Sequence, residues 1–361
     1  MFSINFSKLN KPAVAELAST RLTEQLELWE KEIWEFILKW LDAEIKAINI
    51  YTSGSTGKPK CIEHTKAAIR QSALLTCQAL HIQSGDSALL CLPANKISGM
   101  MMLVRSIECG LNLYCIKPST TPLALLDSNS NFDFAAFTPM QFYAITDKTC
   151  FEKAQRISKI ILGGEDISSA LLNLIQQLSS SVYATFGMTE TISHIALKKL
   201  NGNKPDKHYK TLSGIEINAD EVGRLRIHAP SLLPTDLLTN DEVRIISKHE
   251  FDWLGRTDNV INSGGIKIHP EIAEQKLHAF IPYNFFIAGE ENSITGKSVA
   301  LVIEKESLND IELGGIKESL FRLEKHERPR AILLSSPFIK TENGKLNRTK
   351  TIKNVSKRME L

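Results

Sequence analysis

Between residues 66 and 187 short apolar runs alternate with longer segments whose apolar residues recur every three or four positions. KAAIRQSALLTCQAL reads as a helix, SALLCLP as a strand and MMLVRSIECG as a helix. LNLYCI, FDFAAFT and RISKIILGG read as strands, SSALLNLIQQL as a helix and SVYATFG as a strand. A chain that keeps returning from strand to helix cannot close an all-helical bundle or a sandwich. It is expected to form an α/β fold with mostly parallel sheets and helices. Ahead of this region, Leu26, Trp29, Ile33, Trp34, Ile37 and Trp40 share a helical stripe, which predicts a core-facing helix over 20–41. AEIKAINI then reads as a strand. From about residue 205 short β segments follow: SGIEINA, GRLRIHA, EVRIIS and FDWLG. Beyond GRTDN the pattern becomes small and α+β. The polar turn Arg256–Asn259 is the expected boundary, giving a large domain over 1–257 and a small one over 258–361.

The chain carries 43% hydrophobic and 23% charged residues, enough for a full core. A net charge of +2, with no basic stretch interleaved with aromatics, argues against a nucleic-acid footprint and for a small-molecule partner. Six cysteines, Cys61, Cys77, Cys91, Cys109, Cys115 and Cys150, form no C-x-x-C pair and lie mostly in apolar runs. They are expected to be free, buried thiols in a reducing cytoplasm, without a disulfide framework or zinc site. No segment has the length and apolarity of a signal peptide or a membrane span.

The stretch most loaded with chemistry is YTSGSTGKPK, residues 51–60, directly after an apolar run. Glycines allow a loop to close over a polyphosphate, hydroxyls donate to its oxygens, and lysines supply charge. The P-loop pattern G-x-x-x-x-G-K-[ST] does not fit. Gly54 and Gly57 stand too close together, and Pro59 follows Lys58 where that loop needs a magnesium-binding hydroxyl. Proline also lacks the N–H that a phosphate cradle uses.

Six stretches occur in the order found in the adenylate-forming superfamily of acyl-CoA synthetases, luciferases and peptide-synthetase adenylation domains. YTSGSTGKPK resembles the signature loop, ILGGEDIS the adenine-side segment, and ATFGMTET the Y-G-x-T-E motif. LTNDEV resembles T-G-D, GRTDNVINSGGIKIHP the hinge and following loop, and KTENGKLNR the C-terminal lysine motif. The resemblance implies ATP, magnesium and coenzyme A as reactants: a carboxylate attacks the α-phosphate, and a thiol then displaces AMP. It implies that Thr52, Ser53, Gly54, Ser55, Thr56, Gly57 and Lys58 hold the β- and γ-phosphates. Thr189 would contact the α-phosphate and Glu190 the magnesium. Gly163, Gly164, Glu165, Phe186 and Gly187 would surround adenine, with Phe186 where the family usually has Tyr. Asp241 and Arg256 would reach the ribose; Asp236 is a decoy, too far from GRTDN for the family spacing. Asp258 would be the hinge, Ser263, Gly264 and Gly265 the loop presented in the thiol step, and Lys345 the catalytic lysine.

CLPANKISGMMMLVRSIECGL resembles the corresponding stretch of the o-succinylbenzoate–CoA ligases of menaquinone biosynthesis. The signature loop also begins early, at residue 51, so a reduced N-terminal subdomain is expected, as in short forms of those ligases. That acid has two carboxylates. One is activated, and the aromatic one needs a cationic or polar partner, for which Arg105, Lys96, Ser193 and His194 are the candidates. Two other readings stay open: a CoA ligase for a different acid, and a nucleotide-binding homologue without catalysis. No membrane insertion is expected, and the resemblance implies a homodimer.

Overall fold

The computed structural model describes residues 1–51, 60–293, 296–340 and 346–361. The expected α/β alternation is present, built on one long mixed sheet. Its spatial order is Phe2–Asn5, Asn112–Cys115, Ser87–Leu90, Phe132–Phe137, Ile157–Leu162, Ser181–Gly187, His194–Lys199, Tyr209–Thr211, Glu250–Arg256, Leu237–Ser247, Arg224–His228 and Glu216–Ala219. The run from Asn112–Cys115 to Ser181–Gly187 is parallel. Its strands are near-continuous apolar runs because helices cover them. From His194 onward the sheet is antiparallel. The N-terminal strand, unmarked in the sequence reading, pairs antiparallel with Asn112–Cys115 at the edge.

The helix expected over 20–41 is split. One helix runs Lys11–Arg21, and a second runs Leu28–Leu41. The second starts where Glu30 reaches back to the Glu27 N–H at 3.0 Å, a local bond that outcompetes continuation through Leu26. Its end is closed from outside. The buried Lys66 ammonium donates to the carbonyls of Lys39, Trp40 and Asp42 at 2.7, 2.9 and 2.7 Å, giving all three protons to the orphan C-terminal groups.

The cysteine expectation needs correcting in part. Cys77 and Cys109 are paired between the helices Lys66–Ala79 and Ile97–Cys109, and Cys61 is exposed. Cys91, Cys115 and Cys150 are free and buried as expected. Side-by-side packing of two helices joins positions that sequence spacing leaves unrelated.

Apolar burial divides along the chain. One large cluster and its satellite draw only on residues before 254. Two others draw only on residues from Ile261 onward, around a second sheet and the helices Pro270–Leu277 and Asp310–Leu320. Among the described residues no helix is long and apolar enough to cross a membrane.

Candidate active site

The strand Ser181–Gly187 delivers the chain to a tight turn before the next strand begins at His194. The two strands cross so closely that a Cβ on Gly187 would lie 2.3 Å from the Ser193 carbonyl oxygen, so only glycine fits. A short 3-10 segment, Thr189–Thr191, follows. Thr191 Oγ1 ties it together through Met188 and Ser193. Ile192 then adopts φ +70° and ψ −58°, and Ser193 N–H donates to the Thr191 carbonyl at 2.7 Å. This is a γ-turn of the strained, positive-φ kind, centred on a β-branched residue. Burial holds it: Ile192 is 1% exposed and packs with Ile48, Ile50, Ile69 and Val104. The turn presents the Glu190 carboxylate to solvent.

Behind the turn lies a hydrogen-bond chain whose directions can be assigned. Thr76 donates to the Ser72 carbonyl at 3.1 Å, so its oxygen must accept from His194 Nε2 at 3.1 Å. The His194 ring is then an acceptor at Nδ1, where the Ser193 hydroxyl stands at 3.3 Å. Ser193 in turn accepts from Arg105 Nη2 at 2.9 Å. Burial first, and the Arg105 charge second, hold His194 well below the ordinary histidine range, which keeps it neutral. Arg105 is 2% exposed, and burial pushes its guanidinium down to about 9. Its Nε has no partner, and Nη1 faces only the Met102 sulfur at 3.8 Å. Such a buried guanidinium keeps N–H donors that an anionic group could use.

Other expected site residues fall nearby in the same sheet. Phe186 is half-buried, edge-on to Phe251 and Tyr209 at 5.1 and 5.9 Å between centroids. Gly163 and Gly164 follow the strand Ile157–Leu162, with Glu165 exposed beyond them. A Cβ on Gly163 would lie 2.2 Å from Thr185 Oγ1, so a larger residue there would displace that hydroxyl from the Leu162 carbonyl it binds at 3.1 Å. Asp241 is buried opposite Arg256 in the ladder. Burial raises its carboxyl, while Trp253 Nε1 donates to it at 2.9 Å. Asp236, set aside in the sequence reading, pairs with His228 at the surface at 2.7 Å.

Arg256 Nη2 donates to Asp258 at 2.9 Å across the boundary turn. Ser263 closes a two-residue hairpin to Ile266, in which Gly264 and Gly265 have φ +57° and +83°. That is the left-handed pair a type I′ turn demands. Lys96 stands exposed at the start of the helix Ile97–Cys109, two and a half turns from Arg105. The structure therefore gathers Arg105, Ser193 and His194 and leaves Lys96 apart. Residues 52–58 and Lys345 lie outside the described residues. The last residue of the lysine motif, Arg348, is an anchor: its Nη2 meets Glu274 Oε2 at 2.8 Å.

Four participants were not expected from the sequence. Trp253 and His64, whose Nε2 lies 2.8 Å from the Thr189 carbonyl oxygen, carried no motif. Thr76 and Ser72 left one signal, polar side chains four apart on the apolar face of a helix.

No three His, Cys, Asp or Glu side chains converge into a metal cage among the described residues. Magnesium carried on a nucleotide needs none, since it is held by one or two carboxylates and the phosphates. The exposed Glu190 fits that role.

The AMP-binding enzyme family matches residues 8–221. The acyl-CoA synthetase (AMP-forming)/AMP-acid ligase II-like protein of Dyadobacter fermentans is 34% identical, with a TM-score of 0.64 over 98% of this chain and 99% of that one. The 2-succinylbenzoate–CoA ligase of Listeria monocytogenes serotype 4b is 26% identical over 335 residues, 87% of this chain and 71% of that protein. The o-succinylbenzoate CoA synthetase of Bacillus subtilis, solved with its acyl-adenylate intermediate, shares the fold with a TM-score of 0.73 at 23% identity, covering 87% and 70%.

Proposed function

The chain belongs to the AMP-binding enzyme family, and from that premise we propose that it is an AMP-forming 2-succinylbenzoate–CoA ligase. The observation that carries the substrate is Arg105, a buried guanidinium with an unpartnered Nε beside Ser193. An acid with a single carboxylate would spend it on adenylation and leave this cation uncompensated. A second, aromatic carboxylate supplies the missing charge. The similarity to ligases of that name supports the same reading.

In this proposal the activated carboxylate attacks the α-phosphate of ATP and pyrophosphate leaves. Coenzyme A sulfur then attacks the acyl carbon and AMP leaves. Magnesium supplies charge neutralisation on the phosphates when bound. Glu190 holds it, Thr189 orients the α-phosphate, and residues 52–58 hold the outer phosphates. Asp241, its carboxylate aimed by Trp253, accepts from the ribose. Phe186 flanks adenine, with Gly163, Gly164, Glu165 and Gly187. Arg105, Ser193 and His194 form the carboxylate end of the acid pocket. Residues 258–361 move as a unit about Asp258 between the two half-reactions. Their attachment through polar contacts, such as Ser169 Oγ to the Gln275 carbonyl at 2.9 Å, is of the kind that permits such motion. The protein works in the cytoplasm, as a homodimer.

The test is pyrophosphate release from ATP and magnesium with o-succinylbenzoate, benzoate or a medium-chain fatty acid. Release with o-succinylbenzoate alone is expected, and Lys345→Ala should lower it about a hundred- to a thousandfold, the cost of losing a charge-stabilising donor. Equal turnover of benzoate would remove the dicarboxylate reading and leave a ligase for another acid. ATP binding without pyrophosphate release from any of the three would favour a non-catalytic homologue.

A further inference from the structure

The strands Ala47–Tyr51 and Cys61–Thr65 form an antiparallel hairpin that flanks residues 52–59. His64, opposite Ile48 in this hairpin, is 7% exposed. Its Nε2 lies 2.8 Å from the carbonyl oxygen of Thr189. A carbonyl only accepts, so Nε2 carries the proton and donates. The same oxygen also accepts the Ile192 N–H at 3.0 Å, so one of its bonds comes from within the strained turn and the other from the hairpin. Ile48 and Ile50 of that hairpin pack in one cluster with Ile192. The hairpin thus grips the Thr189–Ile192 turn twice, by a polar bond at its start and an apolar contact at its end.

We infer that His64 is a positioning residue: its ring N–H fixes the backbone of Thr189, and with it Glu190, relative to the chain segment carrying residues 52–58. The hairpin and the Thr189–Ile192 turn are thereby held in one frame, although 125 positions separate His64 from Thr189. The inference rests on the proposed roles of Thr189 and Glu190. A histidine needed only to fill buried space would work through its volume. One that positions Thr189 works through the reach of a single N–H. Glutamine places its amide N–H near the histidine Nε2 position, and asparagine, one carbon shorter, falls short.

The experiment compares His64→Gln with His64→Asn in pyrophosphate release with o-succinylbenzoate, alongside thermal midpoints and calorimetric titration with ATP and magnesium. His64→Gln should keep kcat within about threefold of wild type. His64→Asn should lower kcat about tenfold, the worth of one hydrogen bond in the transition state, with KM for the acid unchanged and a similar thermal midpoint. Equal kcat in the two variants, whether high or low, would overturn the inference. A wild-type protein that releases no pyrophosphate would sink the functional proposal instead. His64 would then be judged by titration alone: weaker ATP–magnesium binding by His64→Asn than by His64→Gln supports the inference, and equal affinities refute it.

Discussion

In the proposed function a single side chain sets the chemistry of the acid pocket. Arg105 sits in the helix ISGMMMLVRSIEC, eight of whose residues are buried. Burying a guanidinium without a carboxylate costs stability, and the Ser193–His194–Thr76 chain offsets only part of that cost because it satisfies one N–H. Stability and function should therefore move in opposite directions on replacement. Arg105→Met is expected to hold or raise the urea midpoint while raising KM for o-succinylbenzoate about ten- to a hundredfold, the loss of a charged hydrogen bond. A variant that unfolds more easily and keeps its KM would show Arg105 to be a structural cation.

At the level of an element, the turn between Ser181–Gly187 and His194–Lys199 carries a strained residue at its end. Ile192 is kept at φ +70° by its buried side chain. Truncation to alanine removes the contacts that hold the conformation but keeps the Cβ that opposes it. Glycine removes both. Ile192→Ala should cost about 2–5 kcal/mol, as for other buried aliphatic truncations. Ile192→Gly should cost no more than that, reversing the usual order of the two residues. Urea denaturation of both variants decides it, and a glycine variant clearly weaker than the alanine variant would mean that the turn carries no backbone strain.

Across the whole molecule, three histidines are held below their ordinary range, each mainly by burial: His64, His194 and His278. A folded-state pKa below the unfolded value means that the unfolded chain binds more protons as pH falls through about 6.5. Their contribution to stability is therefore full above that pH and lost below it. The raised carboxyls of Asp241 and Glu271 act with the opposite sign. The histidine effect is best read as the difference between wild type and His194→Gln. Wild type should lose more stability than His194→Gln between about pH 6.5 and about pH 5. Parallel urea midpoints for the two proteins over that range would show that His194 takes a proton in the folded state.

Local chemistry in the chain determined the α/β class, because strand and helix periodicities depend on neighbours two to four positions apart. It also marked the spacing of the motifs and the preference of Asp241 over Asp236, since those too are read along the chain. The split of the 20–41 segment escaped because one backward bond from Glu30 decides it. Which of the four acid-pocket candidates stand together was decided only by the fold. Arg105 and Ser193 are 88 positions apart and meet because a helix after one strand packs behind a turn after another. Lys96, closer to Arg105 in sequence, is carried away by the rise of the helix. His64 and Trp253 were invisible for the same reason: each acts through a hydrogen bond whose partner is named only once the sheet has closed.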